Sequence, residues 1–162
     1  MPDAAAWLPF FTAQVGAAAA LAGLVIVAIS INLQRILSLP GLPGRAGETL
    51  VLLVGALVLS SLMLIPGSLT LLGGAAIVVS AVMWSACLVI HIGAITQAAG
   101  GPRGSLAARM ALTQLTTLVM VAGSAFLLAG NPTGFYWLAA GALLAIVNAV
   151  FATWVLLIEI LR

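Results

Sequence analysis

Polar positions in this chain are so sparse that they mark boundaries rather than faces. Long apolar runs alternate with short stretches of turn-forming residues: SLPGLPGRAGE at 38–48, PGS at 66–68, QAAGGPRGS at 97–105 and GNPTG at 130–134. A helix rising about 1.5 Å per residue needs about 20 mostly apolar residues to cross hydrocarbon. The pattern therefore predicts five spans, about 7–33, 49–65, 69–95, 106–129 and 135–161. Together they form one transmembrane domain over 1–162, an all-α bundle of five helices.

The second span is short, so PGS could be a kink inside one long helix. Charge decides between the two. With five spans, Arg35, Arg45, Arg103, Arg109 and Arg162 share one side, and the other side carries no basic residue. Merging the second and third spans would split that set. The excess of cytoplasmic positive charge selects five helices, with the amino terminus outside and the carboxyl terminus inside. Aromatic residues agree: Trp7, Phe10 and Phe11 open the first span, and Phe135, Tyr136 and Trp137 open the last. Both groups fall at the outer interface, where amphipathic rings meet headgroups.

Composition removes the soluble alternatives. The chain is 64% hydrophobic and 5% charged, against about 25% charged in a soluble domain. It holds five arginines and no lysine, so its basic balance rests on a few groups and is no nucleic-acid signature. Cys87 is the single cysteine, which excludes an internal disulfide and any paired-cysteine metal or redox motif. Met1 to Ala6 carries no basic residue and the first apolar run is long, so that run is expected to stay as a helix rather than be cleaved as a signal.

A shift of 68 residues lays the last two spans over the second and third. Gly55 then meets Gly123, Gly73 meets Gly141, and Ala81-Val82 meets Ala149-Val150. Coincidence and duplication both account for this. A duplication would be a parallel repeat of two hairpins with the first helix added in front.

The first helix carries Ala13, Gly16, Ala17, Ala20 and Gly23 at three- and four-residue spacing. Such a face either lets another helix approach closely or lines a pore. Gln14 lies towards the outer end of this helix, and Ser30, Asn32 and Gln34 towards the inner end; each needs a partner in hydrocarbon. His91 lies in the third span, one turn after Cys87 and two after Trp84. An ionisable group at that depth is a candidate functional site, and imidazole changes charge near neutral pH. Under the 68-residue shift Glu159 takes the position of His91, and Asn148 that of Ser80. A His91–Glu159 pair could relay protons; otherwise Glu159 pairs with Arg162 and His91 is a satisfied buried histidine. Glu48, three residues after Arg45, reads as a cap opening the second helix. Thr113, Thr117 and Ser124 share one side of the fourth span, with Gln114 near mid-membrane; Asn148 lies near the middle of the fifth. These mark either helix contacts or a narrow polar path.

No catalytic triad, paired acids, nucleotide-binding glycine motif or zinc motif is present. An enzyme is not expected, and neither a cofactor nor a metal is implied. The segments FFTAQVGAAAALAGLVIVAISINLQRIL (10–37) and LPGLPGRAGETLVLLVGALVLS (39–60) resemble a group of small bacterial multi-span membrane proteins. Some members of that group are described as modulators of the FtsH membrane protease. The likeness covers the first third of the chain, and its most distinctive pieces are AISINLQRIL and LPGRAGETL. It implies a bacterial inner-membrane protein with a membrane-protein partner and supplies no catalytic residues.

Two functions are open on this reading. One is an oligomeric channel or transporter for ions or protons, with Gln14, Gly16, Ala20, Gly23, Ser30 and Asn32 on the path or in helix packing. His91, Glu159, Asn148 and Gln114 would form its ion or proton site. The other is a non-enzymatic lateral regulator of a larger membrane complex. The partners expected are the lipid bilayer, further copies of the chain and another membrane protein, not nucleic acid.

Overall fold

The computed structural model describes residues 4–97 and 103–161; the side chains of 4, 97, 103–105, 156, 157 and 159–161 lie outside that description. Among the described residues every regular element is helical. A 3-10 turn at Ala4–Trp7 leads into α1 (Leu8–Ile31), followed by the short α2 (Leu33–Ser38), α3 (Leu42–Leu62), α4 (Leu69–Gln97), α5 (Arg103–Leu128) and α6 (Gly134–Leu161). All but α2 are long and apolar enough to cross a membrane. Large apolar side chains such as Leu24, Val78, Val89, Leu115 and Phe151 point outward, as hydrocarbon rather than water requires.

The PGS stretch separates two helices. α3 ends at Leu62, and α4 starts at Leu69 after Ser68 Oγ accepts the Leu71 N–H at 3.3 Å. The start of α3 corrects the expected boundary. Leu42-Pro43-Gly44-Arg45-Ala46-Gly47-Glu48 is helix, not turn, so this span begins seven residues before the expected 49. Gly41, at φ 84°, makes the left-handed turn that only glycine enters freely. Pro43 then sits in the first turn, where no intrahelical N–H is needed. At the far end, Gly130 (φ 76°) closes α5. Its N–H donates to the Leu127 carbonyl at 2.9 Å, and the Asn131 N–H donates to Phe126 at 2.8 Å, which satisfies the last carbonyls.

Helices α3, α4, α5 and α6 form a ring in which each packs on its two chain or ring neighbours, and α1 lies outside against α3 and, more lightly, α6. Half of the α3 span is buried, against 22% of the α1 span. Glycines set the closeness of the ring. A side chain on Gly73 would run into the backbone of Leu127 and Leu128, and one on Gly134 would meet the Gly123 carbonyl at 2.5 Å. With no hydrophobic drive between helices in lipid, such contacts carry the association. Trp7, Phe10 and Phe11 meet Phe135 and Tyr136 at one end, with Trp7 edge-on to Tyr136 at 4.6 Å. The expected aromatic groups thus share one end of the molecule.

Candidate functional site

The opposite end of the ring holds a buried polar cluster drawn from all four helices. Glu48 comes from α3, His91 from α4, Arg109, Thr113 and Gln114 from α5, and Asn148 from α6. By the ~1.5 Å helical rise, Glu48 and His91 each lie roughly 8–9 Å inside their helix ends. Both side chains are at most 5% exposed.

The Glu48 carboxylate is the hub. Its Oε1 accepts from His91 Nε2 at 3.0 Å and from the Thr113 hydroxyl through a short bond. Its Oε2 pairs with Arg109 Nε at 3.4 Å. Asn148 Nδ2 donates to Thr113 Oγ1 at 3.1 Å, which ties α6 to the same hub. On the other side of the ring Gln114 Nε2 lies 3.1 Å from His91 Nδ1, and Trp84 Nε1 donates to Gln114 Oε1 at 2.6 Å. Indole is a donor only, so Trp84 settles which end of the Gln114 amide is oxygen. The amide NH2 therefore faces His91 Nδ1, which must accept. His91 is then the neutral imidazole with its proton on Nε2, donating to Glu48.

Isolated charge at this depth would be expelled or neutralised. Here the acid and the guanidinium are paired, and four neutral side chains, His91, Thr113, Gln114 and Asn148, extend the network across four helices. Charged hydrogen bonds of this kind are about twice as strong as neutral ones.

Of the residues expected to carry chemistry, His91, Gln114 and Asn148 are brought together here. The Glu159 side chain lies outside the described residues, as do those of Arg103 and Arg162. The sequence reads Glu48 as a cap, and the structure corrects this: the early start of α3 puts it in the seventh helical position, about two turns inside the bundle. Arg109 and Thr113 complete the hub. The signal for Glu48 in the sequence is its rarity, as one of three acids in the chain.

The α1 residues fall elsewhere. Its buried face is Phe11, Gln14, Ala18, Ala22 and Val25. Gly16, Ala20 and Gly23 face outward with Ala13 and Ala17, and a side chain built on Gly16 or Gly23 would meet nothing within 4 Å. Ser30 and Asn32 bond back to the carbonyls of Ile26 and Ala28 in their own helix, at 2.8 and 2.9 Å. Gln14 is 5% exposed and its Nε2 has no hydrogen-bond partner. Thr116, Thr117 and Ser124 cap carbonyls within α5, and Ser124 also meets Ser80 of α4 at 3.0 Å. Among the described residues no group of three metal-ligating side chains occurs.

No protein-family model matches the chain, and no curated protein or solved structure is significantly similar to it.

Proposed function

We propose that this chain is a small channel or transporter for protons or ions, with Glu48, His91 and Arg109 as its ionisable centre. One observation carries the reading. A carboxylate, an imidazole and a guanidinium are gathered from three helices into the core of a ring whose other buried polar side chains, among the described residues, are neutral. Ionisable groups inside a membrane are costly, and they mark ion and proton pathways. Gln114 and Asn148 hold the two sides of that centre. In this proposal the protein lies in a bacterial inner membrane, amino terminus outside, with the cluster towards the cytoplasmic face beside Arg35 and Arg45. It works as a homo-oligomer and is not an enzyme.

The test is proton and ion flux into sealed liposomes carrying the purified protein, from about pH 5 to 8, the range in which imidazole titrates. Wild-type protein is expected to conduct with a pH-dependent rate, and Glu48→Gln and His91→Gln to lose that dependence. Tight liposomes with verified insertion and assembly would overturn the proposal.

A second reading is favoured by the outward small-residue face of α1. On that reading the chain is a lateral regulator that docks a larger membrane protein through Gly16, Ala20 and Gly23, and the Glu48 cluster is structural. Gly16→Leu with Gly23→Leu should then release a co-purifying membrane partner while the protein stays folded.

A further inference from the structure

Gln114 stands between two groups that make opposite demands on it. Its oxygen takes the Trp84 indole N–H at 2.6 Å, and its NH2 faces His91 Nδ1 at 3.1 Å. Only one state of His91 fits this orientation: Nδ1 bare, the proton on Nε2 and directed at Glu48. If Nδ1 takes up a proton, its N–H meets the amide NH2, donor against donor. Rotation of the amide by half a turn removes the conflict, because its oxygen then accepts from Nδ1. The same rotation turns the NH2 towards the indole N–H, and Trp84 loses its acceptor.

We propose that Gln114 is a two-position amide that ties the charge of His91 to the hydrogen bond of Trp84 on the lipid-facing surface. Gln114 is a positioning residue in this scheme and exchanges no proton itself. The proton arrives at Nδ1 of His91, the Nε2–H bond to Glu48 is kept, and the bond from Trp84 to Gln114 is given up. Trp84 is 37% exposed on the outside of α4, so the change is delivered to the bilayer-facing surface. Charged and polar groups reach His91 from every element packed on it. From α3 it faces the Glu48 carboxylate, with Arg45 one turn before Glu48, and from α5 it faces Gln114, with Arg109 reached through Glu48. α6 contributes Asn148, which does not titrate, and α4 itself carries Cys87 one turn away. A proton at Nδ1 takes the Glu48–His91–Arg109 group from neutral to a single positive charge, and no other described group in the cluster is placed to cancel it.

The inference rests on reading Glu48 and His91 as the protonatable centre, but not on whether that centre conducts. Its test therefore reads the side chains and not flux. Solid-state NMR of the protein in lipid bilayers, with nitrogen-15 in the histidine rings and the indoles, follows both partners in one sample. His91 is the only histidine, and of the four indoles the signal that Trp84→Phe removes belongs to Trp84. At alkaline pH the expected spectrum has the His91 proton on Nε2 and a hydrogen-bonded Trp84 indole. As the sample is acidified and Nδ1 gains its proton, the Trp84 signal should move to the unbonded position in step. In Gln114→Met the indole should stay unbonded at every pH. A proton on Nδ1 in the alkaline form overturns the proposal. So does a Trp84 signal that holds steady while His91 charges, or a His91 that never charges while the protein remains folded. The wild-type titration decides the matter even where Gln114→Met fails to fold. A protein that passes this test can still fail the liposome flux experiment, and the reverse, so the two proposals fail separately.

Discussion

The two ends of the four-helix ring solve the same problem with different chemistry. At the end near Trp7 and Phe135, helices close on one another by having no side chain: Gly73 abuts the backbone of α5, and Gly134 abuts the Gly123 carbonyl. At the same end the ring of Trp7 packs on Phe135 and Tyr136 of α6. At the other end helices are joined by side chains that reach, with Glu48, His91, Thr113, Arg109 and Asn148 spanning all four. Close contact between small residues is strong because many atom pairs meet at optimal separation, and it is insensitive to pH and ions. A hub of charge is specific and can be switched, but each member depends on the others. Tight apolar packing suits a hinge or an anchor.

Substitutions at the two ends can break or sharpen that contrast. The largest effect is expected from Glu48→Leu, which removes the carboxylate that pairs with Arg109 and accepts from His91 and Thr113. A loss of about 3–5 kcal/mol is expected for breaking such a buried pair, read as unfolding stability in mixed micelles. Replacing both Glu48 and Arg109 by leucine should recover much of it, because an apolar pair of similar volume is often neutral or better. If the double variant is no more stable than Glu48→Leu, the charged hub is not the joint described here. At the other end Gly73→Val should cost about 1–3 kcal/mol by forcing α4 and α5 apart, with no dependence on pH or salt. A pH-dependent loss there would erase the distinction between the ends.

Asn148→Ala comes next. It removes one interhelical hydrogen bond at the edge of the hub, worth about 0.6–1.7 kcal/mol in membrane proteins. A loss as large as that of Glu48→Leu would make Asn148 a second hub rather than a brace. The smallest change is expected for Gly16→Leu on α1. Its outward face touches nothing in the chain, so folding should stay within about 0.5 kcal/mol of wild type. A change in crosslinked oligomers or partners without a change in folding would assign that face to association.

Helix number is legible in the sequence. Run lengths and turn clusters mark five spans, and the arginine distribution argues against merging across Pro66. The onset of α3 was less legible. Pro43, Gly44 and Gly47 are turn formers by composition, yet Pro43 falls in a first turn that tolerates it, and the turn is confined to Leu39-Pro40-Gly41 before it. The cap reading of Glu48 fails for that reason. His91, Gln114 and Asn148 stood out as isolated polar positions in apolar runs. Their partners did not, because the bonds join residues 23 to 65 positions apart.

What the sequence determined by itself is the number of helices, their apolar surroundings and the few positions that need a polar partner, since hydrocarbon penalises every exception to those patterns. Only the tertiary structure decided which partner each one found and which side of α1 faces inward. α1 is apolar all round, so no periodic polar face states its orientation. Only contact with Phe11, Gln14, Ala18, Ala22 and Val25 does. The same holds for Glu48. A carboxylate near a helix start is a cap or a core hub according to where the helix begins and which neighbours close around it, and both are settled by packing.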